Sequence, residues 1–360
     1  MSTRVCLLLY GPQYPEGGYL WVFLNWASGL RTLGCEVLWL VDISPEVPPH
    51  ELQTYESTFM AALAPYSFAG DVRFRSSSDG RVTRDDGIDP VGVDLLLNVG
   101  YYAASPELVG RFRHSALVDI DPGLTQIWMT EGGIRVAPHD VYFTIGETVG
   151  QAGAWFADAG IEWHYTPPCV SLECWGPHAA RNGAAFTTVS HWWGEVETKR
   201  DGFLPFLDLP RHASHPLELA LCIGDVPHEW AKLVDLGWRV CHASRVASTP
   251  SDYQRYIQNS LGEFSCVKPS CVRLQNAWIS DRTLCYLASG KPAVVQNTGP
   301  SRFLPEDAGL FRFRDLPQAA RYLERVVQDY EHQCRLARLL AEEYFDAHKV
   351  VAGVLDRALA

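Results

Sequence analysis

Lysine is scarce in this chain. Five lysines, at positions 199, 232, 268, 291 and 349, stand against twenty-five arginines. None of the five falls in residues 1–180, which carry nine Arg and twenty-one Asp plus Glu, a net charge of −12. Residues 181–360 carry twenty-one basic and twenty-one acidic groups and are neutral. Nucleic acid or an anionic bilayer would be repelled by such an N-terminal half. Its acidity suits a neutral or amine-bearing small partner, or serves solubility alone. Long hydrophobic runs are also missing: uncharged apolar stretches end near six residues, where a membrane helix needs about 20. Val5–Tyr10 is too short for a signal-peptide core and runs into Gly11-Pro12. A soluble cytoplasmic protein without integral membrane association is therefore expected. The ten cysteines include no Cys-x-x-Cys pair. Cys169/Cys174 and Cys266/Cys271 lack a histidine complement, and Cys6, Cys222 and Cys285 sit in apolar runs as small hydrophobes. Neither a zinc site nor any other bound metal is expected, and reduced thiols are. No Gly-x-Gly-x-x-Gly follows the first strand, which disfavours a dinucleotide oxidoreductase. No Gly-Lys-Ser/Thr closes the first loop, so it is not a Walker loop.

What is present is a globular chain. Its 360 residues are 47% hydrophobic and 12% aromatic, and at roughly 150 residues per domain two domains are expected. Val5–Tyr10 reads as a strand, Gly11–Gly18 as a Gly/Pro loop, Tyr19–Leu33 as an amphipathic helix ended by Gly34, and Glu36–Val41 as a strand. This β-α-β unit seeds a doubly wound sheet. Strands follow at Val93–Asn98, Ser115–Ile120 and Val141–Thr144. Residues 71–90 read as an exposed turn region and the Pro-containing stretch 164–183 as a linker. A second α/β series runs through strands at Ala185–Ser190, Leu217–Ile223, Trp238–Cys241, Glu263–Val267 and Ala293–Gln296. Its helices are Asp252–Ser260 and Asp281–Ser289, and one continuous helix is expected over Gln318–Phe345. The expected boundaries are 1–175, 176–345 and a C-terminal tail, 346–360, returning to the first domain.

Chemistry concentrates in 280–299. Ser280 is an N-cap candidate before an amphipathic helix, with Asp281, Arg282 and Thr283 on its first turn. Free N–H groups, a guanidinium and a hydroxyl together suit a diphosphate. The plain alternative is a capped packing helix with a surface arginine. Gly290-Lys291-Pro292 turns the chain into a strand, past whose carboxyl end lie Thr298 and Gly299.

The string Gly262-Glu-Phe-Ser265, Val267-Lys268, Trp278, Ser280-Asp-Arg282, Tyr286-Leu-Ala-Ser-Gly-Lys-Pro292, Val295-Gln-Asn-Thr-Gly299, Leu304-Pro305 and Gly309-Leu310 resembles the donor segment of GT-B glycosyltransferases. Together with Asp119-Ile-Asp-Pro-Gly123, His139-Asp-Val-Tyr-Phe-Thr144 and Phe186-Thr-Thr-Val189, it is similar to a poorly characterised bacterial group of GT-B-like proteins. The resemblance implies an α/β GT-B fold: two Rossmann-like doubly wound domains facing across a cleft, an N-terminal acceptor domain and a C-terminal nucleotide-sugar domain, closed by a long C-terminal helix. It also implies sugar transfer from a nucleoside-diphosphate sugar to an acceptor, with no resident cofactor or metal. Many Arg and Ala with few Lys fit a GC-rich bacterial source, where tailoring of secondary metabolites is common.

Under that resemblance the donor residues are Lys199, Glu263, Lys268, Ser280, Asp281, Arg282, Thr283, Thr298 and Gly299. Gly17 and Gly18 of the first loop join them, with Tyr14 and Glu16 on the acceptor side. Lys199 and Lys268 would meet the diphosphate as point charges, and Trp192 or Trp193 would stack on a base or sugar. The general base would be Asp121, Asp119 or His139; a turn aspartate and a structural histidine are the alternatives. The chain departs from the pattern of retaining GT-B enzymes, Glu-x7-Glu, by carrying Ala277 and Cys285 at those two positions. Asp281 or Glu263 would then replace the ribose carboxylate. A non-catalytic nucleotide-sugar-binding module and a nucleoside-diphosphate-sugar epimerase are the rival functions.

Overall fold

A computed structural model describes residues 2–11, 17–43, 47–78, 81–84, 87–100, 105–180, 183–194 and 197–360. Two compact units emerge: Met1–Cys169 with Ala347–Ala360, and Val170–Asp346.

The first unit is built on β1 (Arg4–Gly11), β2 (Glu36–Ile43), β3 (Val72–Ser78), β4 (Arg81–Arg84), β5 (Leu95–Val99), β6 (Ser115–Asp119), β7 (Val141–Thr144) and β8 (Trp163–Tyr165). The helices between them are α1 (Gly17–Thr32), α2 (Leu52–Leu63), α3 (Pro106–Val109) and α4 (Leu124–Glu131). Val5–Leu9 are completely buried because a central parallel strand is covered on both faces. The sheet order is β4-β3-β2-β1-β5-β6-β7-β8. Neighbours are parallel except β3 and β4. The chain direction across the sheet switches between β1 and β5, the place where such sheets bind ligands. α1 ends where Gly34 takes φ +79°.

The second unit contains β9 (Phe186–His191), α5 (Lys199–Phe203), β10 (Leu217–Cys222), α6 (Pro227–Asp235), β11 (Arg239–His242), α7 (Ala243–Val246) and α8 (Pro250–Asn259). It continues with β12 (Gly262–Ser265), α9 (Pro269–Leu274), α10 (Asp281–Ala288), β13 (Ala293–Gln296), β14 (Asp307–Ala308), β15 (Leu310–Phe313), α11 (Leu316–Gln328) and α12 (Tyr330–Leu340). The sheet order is β11-β10-β9-β12-β13-β15-β14, parallel except at β14. Its switch point lies between β9 and β12. Phe186, Phe203, Phe264 and Phe313 are buried in one apolar core, where Phe264 and Phe313 stack at 5.4 Å.

The last helix, α13 (Ala347–Ala358), packs on α1 in the first unit. Gly29 permits the approach: a Cβ there would lie 2.7 Å from Val351 Cγ2 and 2.8 Å from the Ala347 carbonyl oxygen.

Three readings of the sequence are corrected. The region 71–90 contains the β3–β4 hairpin, whose core contacts come from Val72 and Phe74 at strand spacing. β8 lies where the linker was expected to begin. The expected single helix over Gln318–Phe345 is three pieces, because Asp329 leaves helical geometry at φ −135°, ψ 46° and Ala341–Phe345 forms a π turn.

Candidate functional site

The second unit gathers cations at the carboxyl ends of β9 and β12. Thr198 and Asp201 form a capping box: Asp201 N–H donates to Thr198 Oγ1 at 3.1 Å, and Thr198 N–H donates to the Asp201 carboxylate at 3.0 Å. That cap starts α5 at Lys199. Gly202 lets α5 lie directly on the chain beyond β12, since a Cβ would stand 1.8 Å from the Val267 carbonyl oxygen. The result brings Lys199 Nζ to the Cys266 carbonyl at 3.4 Å, and 5.5 Å from the centre of the Trp278 ring. Burial, followed by the charge of Arg282, lowers the Lys199 ammonium to about 8, and Lys268 adds to the repulsion.

Arg282 occupies the first turn of α10. Its Nε donates to Glu263 Oε1 at 2.8 Å, and its Nη1 to the Val189 carbonyl at 2.9 Å. Nη2 has no hydrogen-bond partner among the described residues. The side chain is only 12% exposed, so Arg282 is not the surface arginine of the plain alternative. Ser280 has N-cap backbone geometry but its hydroxyl makes no cap bond; the first-turn N–H groups of any helix lack intrahelical acceptors. Ser265, Val267, Trp278, Ser280, Arg282 and Thr283 line a small cavity here. Lys268, half-buried, begins α9 beside it. A helix N-terminus with three nearby cations is suited to hold a diphosphate and to stabilise charge on a leaving group.

The residues expected to serve as ligands divide. Lys199, Lys268, Ser280 and Arg282 come together; Thr283 lines the same cavity but is 1% exposed, and Asp281 is half-buried on the same turn. Glu263 does not act as a ribose ligand: it is fully buried in β12 and committed to Arg282. Thr298 donates to the Trp278 carbonyl at 2.6 Å and is 2% exposed. Gly299, at φ +123°, lies where a Cβ would stand 2.6 Å from Gln275 backbone. Both residues therefore hold the 275–278 loop in place of facing a ligand. In that loop Gln275 and Ala277 take positive φ, 50° and 59°, a conformation that costs about 1–3 kcal/mol for each such residue. Trp192 is buried against Glu229, whereas Trp193 is 43% exposed with its N–H on the Ile223 carbonyl. Trp278 as the aromatic under Lys199, and Val189 as the carbonyl anchor of Arg282, carried no separate signal in the sequence.

In the first unit, Gly17 and Gly18 begin α1 and do not belong to the preceding loop. Tyr14 and Glu16 lie outside the described residues. Asp119 is corrected from base to structural group. It is wholly buried and accepts hydrogen bonds from Asp121 N–H (3.0 Å), Thr125 Oγ1 (2.7 Å), Gln126 Nε2 (2.9 Å) and Thr144 Oγ1 (2.9 Å). His139 is likewise structural. Its Nδ1–H donates to the Ala137 carbonyl at 2.7 Å, leaving Nε2 as acceptor 3.4 Å from Asn98 Nδ2. Burial lowers its pKa to about 4, so it is neutral near pH 7. Asp121 is half-buried at the turn into α4, its carbonyl accepting from Thr125 N–H at 3.0 Å. Among the described residues no group of three His, Cys, Asp or Glu side chains could hold a metal ion. No helix of the described residues is long and apolar enough to cross a membrane.

No family model matches the chain and no curated protein resembles it in sequence. Solved structures do resemble it. Sucrose-phosphate synthase from Thermosynechococcus elongatus is 14% identical, covers 99% of each chain and gives a TM-score of 0.59. An alpha-glucosyltransferase in complex with UDP is 10% identical over 100% of each chain, with a TM-score of 0.61. Anabaena HepE in complex with UDP and glucose is 10% identical over 99% of each chain, with a TM-score of 0.60. The chain has the GT-B fold that these proteins share.

Proposed function

We propose that this chain is a glycosyltransferase that moves a sugar from a nucleoside-diphosphate sugar to a small-molecule acceptor, without a metal. The observation that carries the reading is the convergence of Lys199, Lys268 and Arg282 before the N-terminus of α10, at the switch point of the second sheet. Three cations and the N-terminal end of a helix meet the charge that builds on a departing nucleoside diphosphate. The neighbours solved with UDP or UDP-glucose support this donor chemistry. In the proposal the first unit holds the acceptor, and Asp121 takes its hydroxyl proton because Asp119 and His139 are committed to the core. The acidity of residues 1–180 supports a neutral or amine-bearing acceptor, although one neighbour was solved with a DNA 13-mer. A cytoplasmic enzyme, without membrane association, is the setting we infer.

One observation favours a second reading. Ala277 and Cys285 replace the paired glutamates, so a donor-binding module without turnover is the alternative. The test is a thermal-shift panel of UDP, GDP, dTDP and ADP at low salt, followed by release of nucleoside diphosphate from the matching sugar donors. A selective stabilisation is expected, since ligand binding to the native state alone raises stability by mass action. No shift with any nucleotide sinks the donor assignment. A shift without release in the presence or absence of acceptors, DNA included, supports the binding module.

A further inference from the structure

Glu263 is a costly residue for a core. It is 0% exposed, at the second position of β12, and its Oε2 has no hydrogen-bond partner among the described residues. Burying a carboxylate half-satisfied is poor use of a core position: an apolar pair of similar volume is often as stable as a buried ion pair, or more so. Stability alone therefore does not account for it. Its one side-chain hydrogen-bond partner among the described residues is Arg282, whose Nε it receives at 2.8 Å, while the Val189 carbonyl takes Nη1 at 2.9 Å. These two anchors define the plane of the guanidinium and leave Nη2 over. The fixed cation lines the same cavity as Ser280 and Thr283, in the field of Lys199. The surroundings of Glu263 are themselves pinned: Tyr286 and Thr187 share a 2.7 Å hydroxyl contact within the core.

We propose that Glu263 is a positioning residue, which holds Arg282 so that its remaining N–H edge meets the donor's diphosphate. The inference rests on the proposed function and goes further by assigning a role to a fully buried carboxylate. A guanidinium held in place loses little freedom when the anion arrives. An arginine without its carboxylate would have to be ordered by the ligand.

The sign of the effect makes the test decisive. A purely electrostatic Glu263 opposes an anion, so removing it should tighten diphosphate binding. Removing a positioning residue should weaken binding even though the site becomes one charge more positive. UDP is titrated calorimetrically into the wild-type chain, Glu263→Ala and Glu263→Gln. Glu263→Ala is expected to weaken UDP about tenfold or more, the scale of one charged hydrogen bond. Glu263→Gln, whose amide oxygen still accepts from Arg282 Nε, is expected to stay within about threefold of wild type. Equal or tighter binding by Glu263→Ala overturns the proposal. Should that variant fail to fold, Glu263→Met is used instead, which fills similar space and cannot accept from Arg282 Nε. It is expected to lose UDP affinity by about tenfold; wild-type affinity in that variant overturns the proposal. If the wild-type chain binds none of the four nucleoside diphosphates, the proposed function itself falls, and this role with it.

Discussion

Two buried carboxylates, one in each unit's sheet, are used in opposite ways. Asp119 ends β6 and receives four hydrogen bonds, from Asp121, Thr125, Gln126 and Thr144. Glu263 in β12 receives one, from Arg282, and keeps an oxygen without a partner. The first carboxylate is saturated by neutral donors, so it fixes the turn into α4 and has nothing left to offer a substrate. The second is paired through one oxygen with a cation that retains an N–H edge without a partner among the described residues. The difference lies in what the partner can still do, and it separates a structural acid from one tied to a site.

The largest expected effect breaks the second of these pairs. Arg282→Ala leaves Glu263 as an uncompensated buried charge, which costs about 3–5 kcal/mol. The same substitution should weaken nucleoside-diphosphate binding by about 30-fold, from loss of a charged hydrogen bond worth about 2 kcal/mol. Denaturant unfolding and calorimetry read the two separately. A stable variant with weak binding would mean that Glu263 finds water when Arg282 is gone.

Asp119→Ala is the matched test in the first unit. Four donors lose their acceptor, and the expected cost is about 2–4 kcal/mol of stability. Donor affinity should not change. Loss of turnover at full stability would return Asp119 to the role of base and erase the contrast.

His139 extends the contrast to pH. Its proton uptake occurs near pH 4 in the folded chain, against the ordinary value of 6.5. Between those two values the unfolded state binds the additional proton, so stability must fall as pH drops through the window. The expected loss is about 2–3 kcal/mol by pH 4. His139→Gln should flatten this acid limb in urea midpoints measured from pH 7 to 4. An unchanged limb would place the titration elsewhere.

The sequence carried the architecture further than the chemistry. Apolar runs of strand length and the Gly290-Lys291-Pro292 turn locate β1, β13 and α10, because these signals are local. The resemblance of 262–310 named the fold that the solved structures share. The long C-terminal helix misled, since an apolar stripe continues in register through Asp329 while the backbone does not. The roles of the carboxylates were hidden for a different reason. Asp119-Ile-Asp121 reads the same whether it is a base or a turn; what decides is Gln126 and Thr144, which arrive from α4 and β7. Glu263 and Arg282 lie 19 residues apart and meet only because β12 packs under α10. Lys199 was legible through rarity, but its neighbour Trp278 needed the fold.

The smallest effect concerns Lys199, where the site's cations repel one another before any ligand arrives. Its ammonium sits at about 8, lowered by burial and then by Arg282. A bound diphosphate favours the charged form, so binding near that pH draws in a proton. By linkage, affinity must fall as pH rises above 8, by at most about tenfold per pH unit for one proton. Calorimetry of UDP in buffers of different ionisation enthalpy reads the proton directly, and Lys199→Met should remove it with the pH slope. In the first unit no such slope is expected from His139, which is already neutral at these pH values. Proton uptake that survives Lys199→Met would take the titration away from Lys199 and leave it as a packing partner of Trp278.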